Sequence, residues 1–171
     1  MEATLIGETL VKRSAPTPSA ETPAKQLAGF LAKFDPAIAS RARSARSALR
    51  KRFPTAIELV YDNYNALAIG FSATEGASDC IVALAVTPRG PALSFYYGAT
   101  LPDPNKILQG SGNQNRYIRL ESAATLARPE VEALIRAAIA QAKTPLPESG
   151  RGYTVIKSVS AKQRPRRRAS K

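Results

Sequence analysis

The sequence feature that most limits the possible folds lies after Pro54. Four short segments follow one another there, and each is either apolar or alternates apolar with polar residues. The segments are separated by Asn, Gly, Ser, Asp and Pro, which are typical of tight turns between antiparallel strands. A fifth segment alternates two apolar residues with Tyr117, Arg119 and Glu121, and a sixth is rich in β-branched residues, as an edge strand is. The predicted strands are residues 57–62, 66–72, 81–87, 93–98, 116–121 and 153–159.

Segments with helical periodicity flank the predicted strands on both sides. The first begins with Thr22 as N-cap and Pro23 in the first turn, and it repeats apolar residues at i, i+3, i+4 and i+7. A second helix follows Asp35 and Pro36, and a third begins at Pro129. Strands bracketed by helices, without regular alternation, predict an α+β two-layer sandwich, with an antiparallel five- or six-stranded sheet and the N- and C-terminal helices on one face.

The basic residues are concentrated in two segments. The chain of 171 residues has a net charge of +12, and residues 41–52 and 151–171 hold 14 of its 25 bases and none of its 13 acids. The rest of the chain is therefore nearly neutral. We divide the chain into a disordered leader (1–21), an α+β domain (22–160) and a disordered basic tail (161–171). Charge placed in this way favours a polyanionic partner, although it can also serve solubility alone.

The candidate nucleic-acid contacts are the cations on one flank of the second helix and those of the tail. Arginine can grip phosphate through two hydrogen bonds, whereas the tail lacks the aromatic residues or groove-reading helix that would add sequence specificity. The same flank can also be an ordinary solvated helix surface, and a basic tail can lack a partner. The candidates are Arg43, Arg46, Arg50, Lys162, Arg164, Arg166, Arg167, Arg168 and Lys171.

A glycine-framed turn before the fifth strand is a second candidate site, for a small anion. Gly110 and Gly112 can adopt positive φ at no steric cost, which would let Ser111 and Asn113 present N–H groups in a concave arrangement, with Arg116 beside them. The alternative is a tight loop in which the glycines only turn the chain.

Several chemistries are excluded by composition. The chain contains no histidine and a single cysteine, Cys80, which lies in an apolar run and is interpreted as an inert core residue. Triad catalysis that depends on histidine is therefore impossible for this chain alone. Glu2 and Glu8 interrupt the only apolar residues near the N-terminus, so we expect no signal peptide or membrane span and a cytoplasmic location.

The run LPDPNKILQGSGNQNRYIRLES, at 101–122, resembles the YdhG-like family of domains of unknown function. The resemblance extends over residues 23–146 and implies a frataxin-like layout, an antiparallel sheet covered on one face by helices. It also suggests an alternative function, because some YdhG-like proteins are regarded as iron chaperones. Asn113 and Tyr117 depart from the family pattern, which often has lysine and histidine at these places, and this weakens a ligand role for both.

Three classes of function follow from the sequence. The first is a non-enzymatic binding module for an anionic partner, either a phosphate-containing ligand or nucleic acid without sequence preference, with no cofactor. The second is a frataxin-like iron protein, although the acids needed as hard ligands are dispersed. The third is a small enzyme of unknown reaction, without a visible nucleophile–base pair. An edge strand could also pair two copies into a homo-oligomer. Residues that could line an enzyme site are Glu58, Tyr61, Asp62, Tyr64, Tyr96 and Tyr97.

Overall fold

A computed structural model describes residues 21–169, and these residues form a six-stranded sheet with three α-helices. Residues 1–20 of the predicted leader and Lys171 lie outside the described residues. The helices are α1 (Pro23–Ala32), α2 (Pro36–Arg52) and α3 (Pro129–Gln141). The strands are β1 (Ile57–Asp62), β2 (Leu67–Ser72), β3 (Cys80–Thr87), β4 (Gly90–Phe95), β5 (Arg116–Arg119) and β6 (Thr154–Val159).

The strand order is β5-β4-β3-β2-β1-β6, and the sheet is mixed. Strands β1 to β5 are antiparallel to their neighbours, but β6 pairs with β1 in parallel. The α+β architecture is therefore confirmed, whereas the expectation of a purely antiparallel sheet is wrong for β6. After β5 the chain passes through α3 and reaches the opposite edge of the sheet, and a connection of this length permits parallel pairing.

The core lies between one face of the sheet and the three helices. Each helix buries an apolar stripe, and in α2 the stripe contains the fully buried Ala42 and Ala45, whose small side chains allow close approach to the sheet. From the sheet, alternate strand residues enter this layer, including Val60, Ile69 and Leu84. The predicted placement of the N- and C-terminal helices on one face is confirmed, and we call the other face the open face.

The predicted turns are found, but several predicted strand boundaries shift by one to three residues. Asn63 donates to the carbonyl oxygen of Ala66 at 3.0 Å and closes the hairpin between β1 and β2. The predicted fourth strand ends at Phe95 instead of continuing to Gly98, because a short 3-10 helix (Gly98–Thr100) begins there. None of the helices in residues 21–169 is both long and apolar enough to cross a membrane.

The position of α3 in the core gives a first prediction, on Leu134. This side chain is buried in the apolar layer, so Leu134→Asp should lower the free energy of unfolding by about 3–5 kcal/mol, since the new charge has no partner there. Ala133→Asp adds the same charge at an exposed position of the same helix and should change stability by less than about 1 kcal/mol. Chemical denaturation measures both, and equal effects would contradict the placement of α3.

Candidate functional site

The glycine-framed turn is held together by its own arginine. Gly110 has a φ of 110°, but Gly112 does not adopt a positive φ. Arg116 donates from one guanidinium nitrogen to the carbonyl oxygens of Gly112 and Asn115, the latter at 2.8 Å. Ser111 and Asn113 are exposed. These contacts support the alternative of a closed tight turn, and an anion site at this loop stays a prediction.

The arginine flank of α2 is directed at a buried carboxylate. Arg46 donates two hydrogen bonds to the carboxylate of Glu58, at 2.7 and 3.0 Å, and a guanidinium nitrogen of Arg50 lies 3.1 Å from the same group. Glu58 is fully buried on the helix-facing side of β1. Arg43 alone of the three is exposed. Two of the three predicted phosphate contacts therefore have an internal partner, which the sequence did not reveal because Glu58 lies in an apolar strand.

A second buried carboxylate, Asp62, holds the C-terminal segment against the domain. Lys33 and Arg166 contact its two oxygens at 2.7 and 2.9 Å. Arg166 is only 5% exposed, its guanidinium lies 5.6 Å from the Phe34 ring, and two of its nitrogens have no hydrogen-bond partner among the described residues. Arg166 thus contacts the domain from within the segment predicted to be a disordered tail, and the division of the chain into leader, domain and tail stays a prediction.

The remaining predicted cations of the C-terminal segment are distributed over its exposed side. Arg167 donates to the carbonyl oxygen of Lys33 at 3.3 Å, while the backbone N–H of Arg164 donates to that of Tyr64 at 2.9 Å. The Arg164 guanidinium lies 5.6 Å from the Tyr64 ring. Lys162 and Arg168 are exposed, and Lys171 is outside the described residues. The predicted site residues are therefore not brought together into one surface.

The open face of the sheet carries a trough with a floor of small residues. Strand alternation and register place small side chains, or none, at successive open-face positions of β2, β3 and β4. At Gly70 a Cβ would lie 2.6 Å from the Cys80 sulfur, so any larger residue here would force the Cys80 side chain to move. The floor consists of Ala68, Gly70, Ala83, Ala85, Ala92 and Ser94.

Larger side chains on the outer strands form the walls of the trough. Tyr61 in β1 pairs with Ala68, whereas Tyr117 and Arg119 in β5 pair with Ser94 and Ala92. With strands about 4.8 Å apart, the Cα atoms of Tyr61 and Arg119 are separated by roughly 19 Å. Within the trough lie two depressions, of ≈ 270 and ≈ 590 Å³, which share Ser94 and Asn115. They form one continuous surface.

The smaller depression is aromatic and apolar. Tyr61 and Tyr96 line it above Gly70 and Ala83. Burial raises the pKa of the Tyr61 phenol above its ordinary value, and the neighbouring Cys80 and Tyr96 add to the shift, so this phenol is neutral at physiological pH. Burial likewise raises the pKa of the Cys80 thiol, which favours its protonated and less reactive form.

The larger depression is cationic. Arg89, Arg119 and Arg164 line it, and its lining contains no aspartate or glutamate. Within residues 21–169, none of these three guanidinium groups has a carboxylate within 4.0 Å. The Arg119 guanidinium lies 5.9 Å from the Tyr117 ring. Since Arg164 belongs to the anchored C-terminal segment, the buried Arg166–Asp62 pair also fixes one wall of the trough.

The acids and the tyrosine of β1, considered for the iron-binding and enzyme alternatives, lie on opposite faces of the sheet. In β1 alternation directs Glu58 and Asp62 to the helices, whereas Tyr61 faces the trough. The described part of the chain contains no group of three or more histidine, cysteine, aspartate or glutamate side chains that could hold a metal ion. Sequence reasoning did not identify Arg89 and Arg119 as site residues, because their proximity depends on strand register.

Comparisons of the chain with family models, curated proteins and solved structures give no match. The resemblance to the YdhG-like family therefore stays a prediction, which depends on the residues quoted for it.

The pairing of Glu58 with two arginines gives a second prediction. Glu58→Gln leaves two cations facing a buried neutral group, so it should lower the free energy of unfolding by about 3–5 kcal/mol. Glu148→Gln removes the same charge from an exposed loop and should have an effect below about 0.5 kcal/mol. Urea denaturation of both variants checks this prediction, and a Glu58→Gln protein as stable as the parent would show that the carboxylate is not paired in the core.

Proposed function

We propose that this chain is a non-enzymatic binding module for an anionic, phosphate-containing partner, and that the partner binds in the trough on the open face. The observation that carries the proposal is the cationic depression, in which Arg89, Arg119 and Arg164 line one concave surface without an acidic neighbour. Arginines that have no carboxylate partner are available to form charge-assisted hydrogen bonds with phosphate.

The charge distribution supports the trough over the two surfaces predicted from sequence. Arg46, Arg50 and Arg166 bind buried carboxylates, and Arg116 binds backbone carbonyl oxygens. If an anion drew any of these side chains away, it would leave a buried acid or a loop carbonyl without its donor, and the exchange would gain little. Arg89, Arg119 and Arg164, which we call the rim arginines, can bind an anion without leaving a buried acid or a loop carbonyl without its donor.

A salt titration tests the function and locates it. The probe is a fluorescein-labelled oligothymidylate, whose affinity should fall with salt at a log–log slope of about −0.7 for each phosphate contacted. Replacing Arg89, Arg119 and Arg164 together with Gln should flatten this slope by about 2 and weaken binding at least tenfold at about 50 mM salt. Fluorescence anisotropy gives both quantities.

The matched control replaces Arg128, Arg136 and Arg151, three exposed arginines that neither line the trough nor belong to the candidate contacts predicted from sequence, with Gln. Both triple variants lose the same net charge, so only a local site distinguishes them. The proposal fails if the parent protein shows no salt-sensitive binding at about 50 mM salt. Equal loss in the two triple variants would show a diffuse charge effect and would exclude the trough as the site.

A further inference from the structure

We infer that the partner is single-stranded nucleic acid, and that one unstacked base lies between Tyr61 and Tyr96 while the adjoining phosphates contact the rim arginines. This inference rests on the function proposed above and names the chemistry that the same trough recognises. Its basis is the change from an aromatic, apolar depression to a cationic one along a continuous surface. A nucleic acid strand has the same two components, a flat apolar base and a charged backbone.

The aromatic depression has the dimensions of a site for one ring system. Its volume of ≈ 270 Å³ lies just below the range of about 300–1,000 Å³ typical of pockets that enclose a drug-sized ligand. Tyr96 lies just beyond β4, two residues after Ser94, and it is 42% exposed. By register, Tyr61 is opposite Ala92 of β4, so Tyr96 lies three strand spacings across the sheet and four residues further along it. The Cα atoms of the two tyrosines are therefore separated by roughly 19 Å, along a diagonal that crosses small residues. Two tyrosine side chains that extend inward from these positions flank a slot above Gly70 and Ala83.

Polar groups at the boundary between the two depressions are placed to contact a base edge. Ser94 donates its hydroxyl to the side-chain oxygen of Asn115 at 2.6 Å, which fixes the orientation of that amide. The amide nitrogen of Asn115 then has no partner among the described residues and can donate to a base carbonyl. The neutral Tyr61 hydroxyl can also donate. These few contacts would orient a base without selecting one sequence.

The shape of the trough favours a strand over a duplex or a mononucleotide. In a duplex the base faces are stacked inside the helix, so aromatic side chains on a sheet can stack only on unpaired bases. A mononucleotide would use the aromatic slot and one or two arginines, but three arginines line the rim over the neighbouring strands and the C-terminal segment. Moving two residues along β3, from Ala83 to Ala85, advances about 6.6 Å from the aromatic to the cationic depression. A backbone that continues beyond one nucleotide can reach all three arginines.

The test uses an oligonucleotide of about eight nucleotides, within the usual site size of about 4–16, with one central 2-aminopurine. Stacking on tyrosine should quench its fluorescence on binding. Tyr61→Leu and Tyr96→Leu should each lower affinity about 5- to 100-fold and remove the quenching. Tyr61→Phe and Tyr96→Phe should retain the quenching because the stacking ring is kept, and Tyr61→Phe should lose only the affinity that its hydroxyl contributes. Tyr153→Leu, a change at an exposed tyrosine that does not line the trough, is the matched control and should bind as the parent does.

Four further probes separate this inference from the proposed function. An abasic oligonucleotide of the same length should bind the parent protein more weakly than the base-containing strand does. The loss of affinity should equal the loss that Tyr96→Leu causes with the base-containing strand. If the abasic oligonucleotide or inorganic polyphosphate binds as tightly as the base-containing strand, the phosphate-binding function stands and the base slot is refuted. Equal affinity for adenosine monophosphate or for a duplex overturns the assignment to a single strand. If no probe shows salt-sensitive binding, the function and the inference both fail.

Discussion

The two buried carboxylates of β1 connect the sheet to α2, to the end of α1 and to the C-terminal segment. Glu58 forms ion pairs with Arg46 and Arg50 of α2. Asp62 forms ion pairs with Lys33, which directly follows α1, and with Arg166 of the C-terminal segment. A charge removed from water is tolerated only when it is paired and hydrogen-bonded, so each acid requires its cations to stay in place. The pairs fix α1, α2 and the C-terminal segment relative to β1. They also fix the face on which each residue of β1 lies. A shift of β1 by one residue in register would move both acids to the open face, away from their cations.

This internal pairing changes how the net charge is understood. The chain has a net charge of +12, but several of the cations that appeared available in the sequence neutralise buried acids or close a loop. The cations that line a concave surface without an acidic neighbour are Arg89, Arg119 and Arg164. A function in polyanion binding therefore depends on the position of three arginines around the trough more than on the total charge. The buried Arg166 contributes indirectly, since it holds Arg164 at the rim.

Local patterns predicted most of the fold, and the site required knowledge of long-range pairing. The stripes of α1 and α3 and the turns at Asn63 and Pro88 are encoded within a few residues, so they could be predicted from sequence. The parallel direction of β6 could not, because a strand's own sequence carries no information about its partner. The internal pairing of the α2 arginine flank could not be predicted either, since Glu58, 12 residues after Arg46, is directed at the helix only by the packing of β1. The small residues of β2, β3 and β4 alternate visibly in the sequence, but only the sheet aligns them into one trough.

Amide chemical-shift mapping can show whether the ligand binds on the open face of the sheet. The protein labelled with nitrogen-15 is titrated with an unlabelled single-stranded oligonucleotide of about eight nucleotides. We expect the chemical shifts to change most at Ala68, Ala83 and Ala92 on the trough floor and at Arg89 and Arg119, while the amide shifts of α2 do not change. Shifts confined to the exposed flank of α2 or to the turn at Gly110–Asn113, with an unchanged trough, would contradict it.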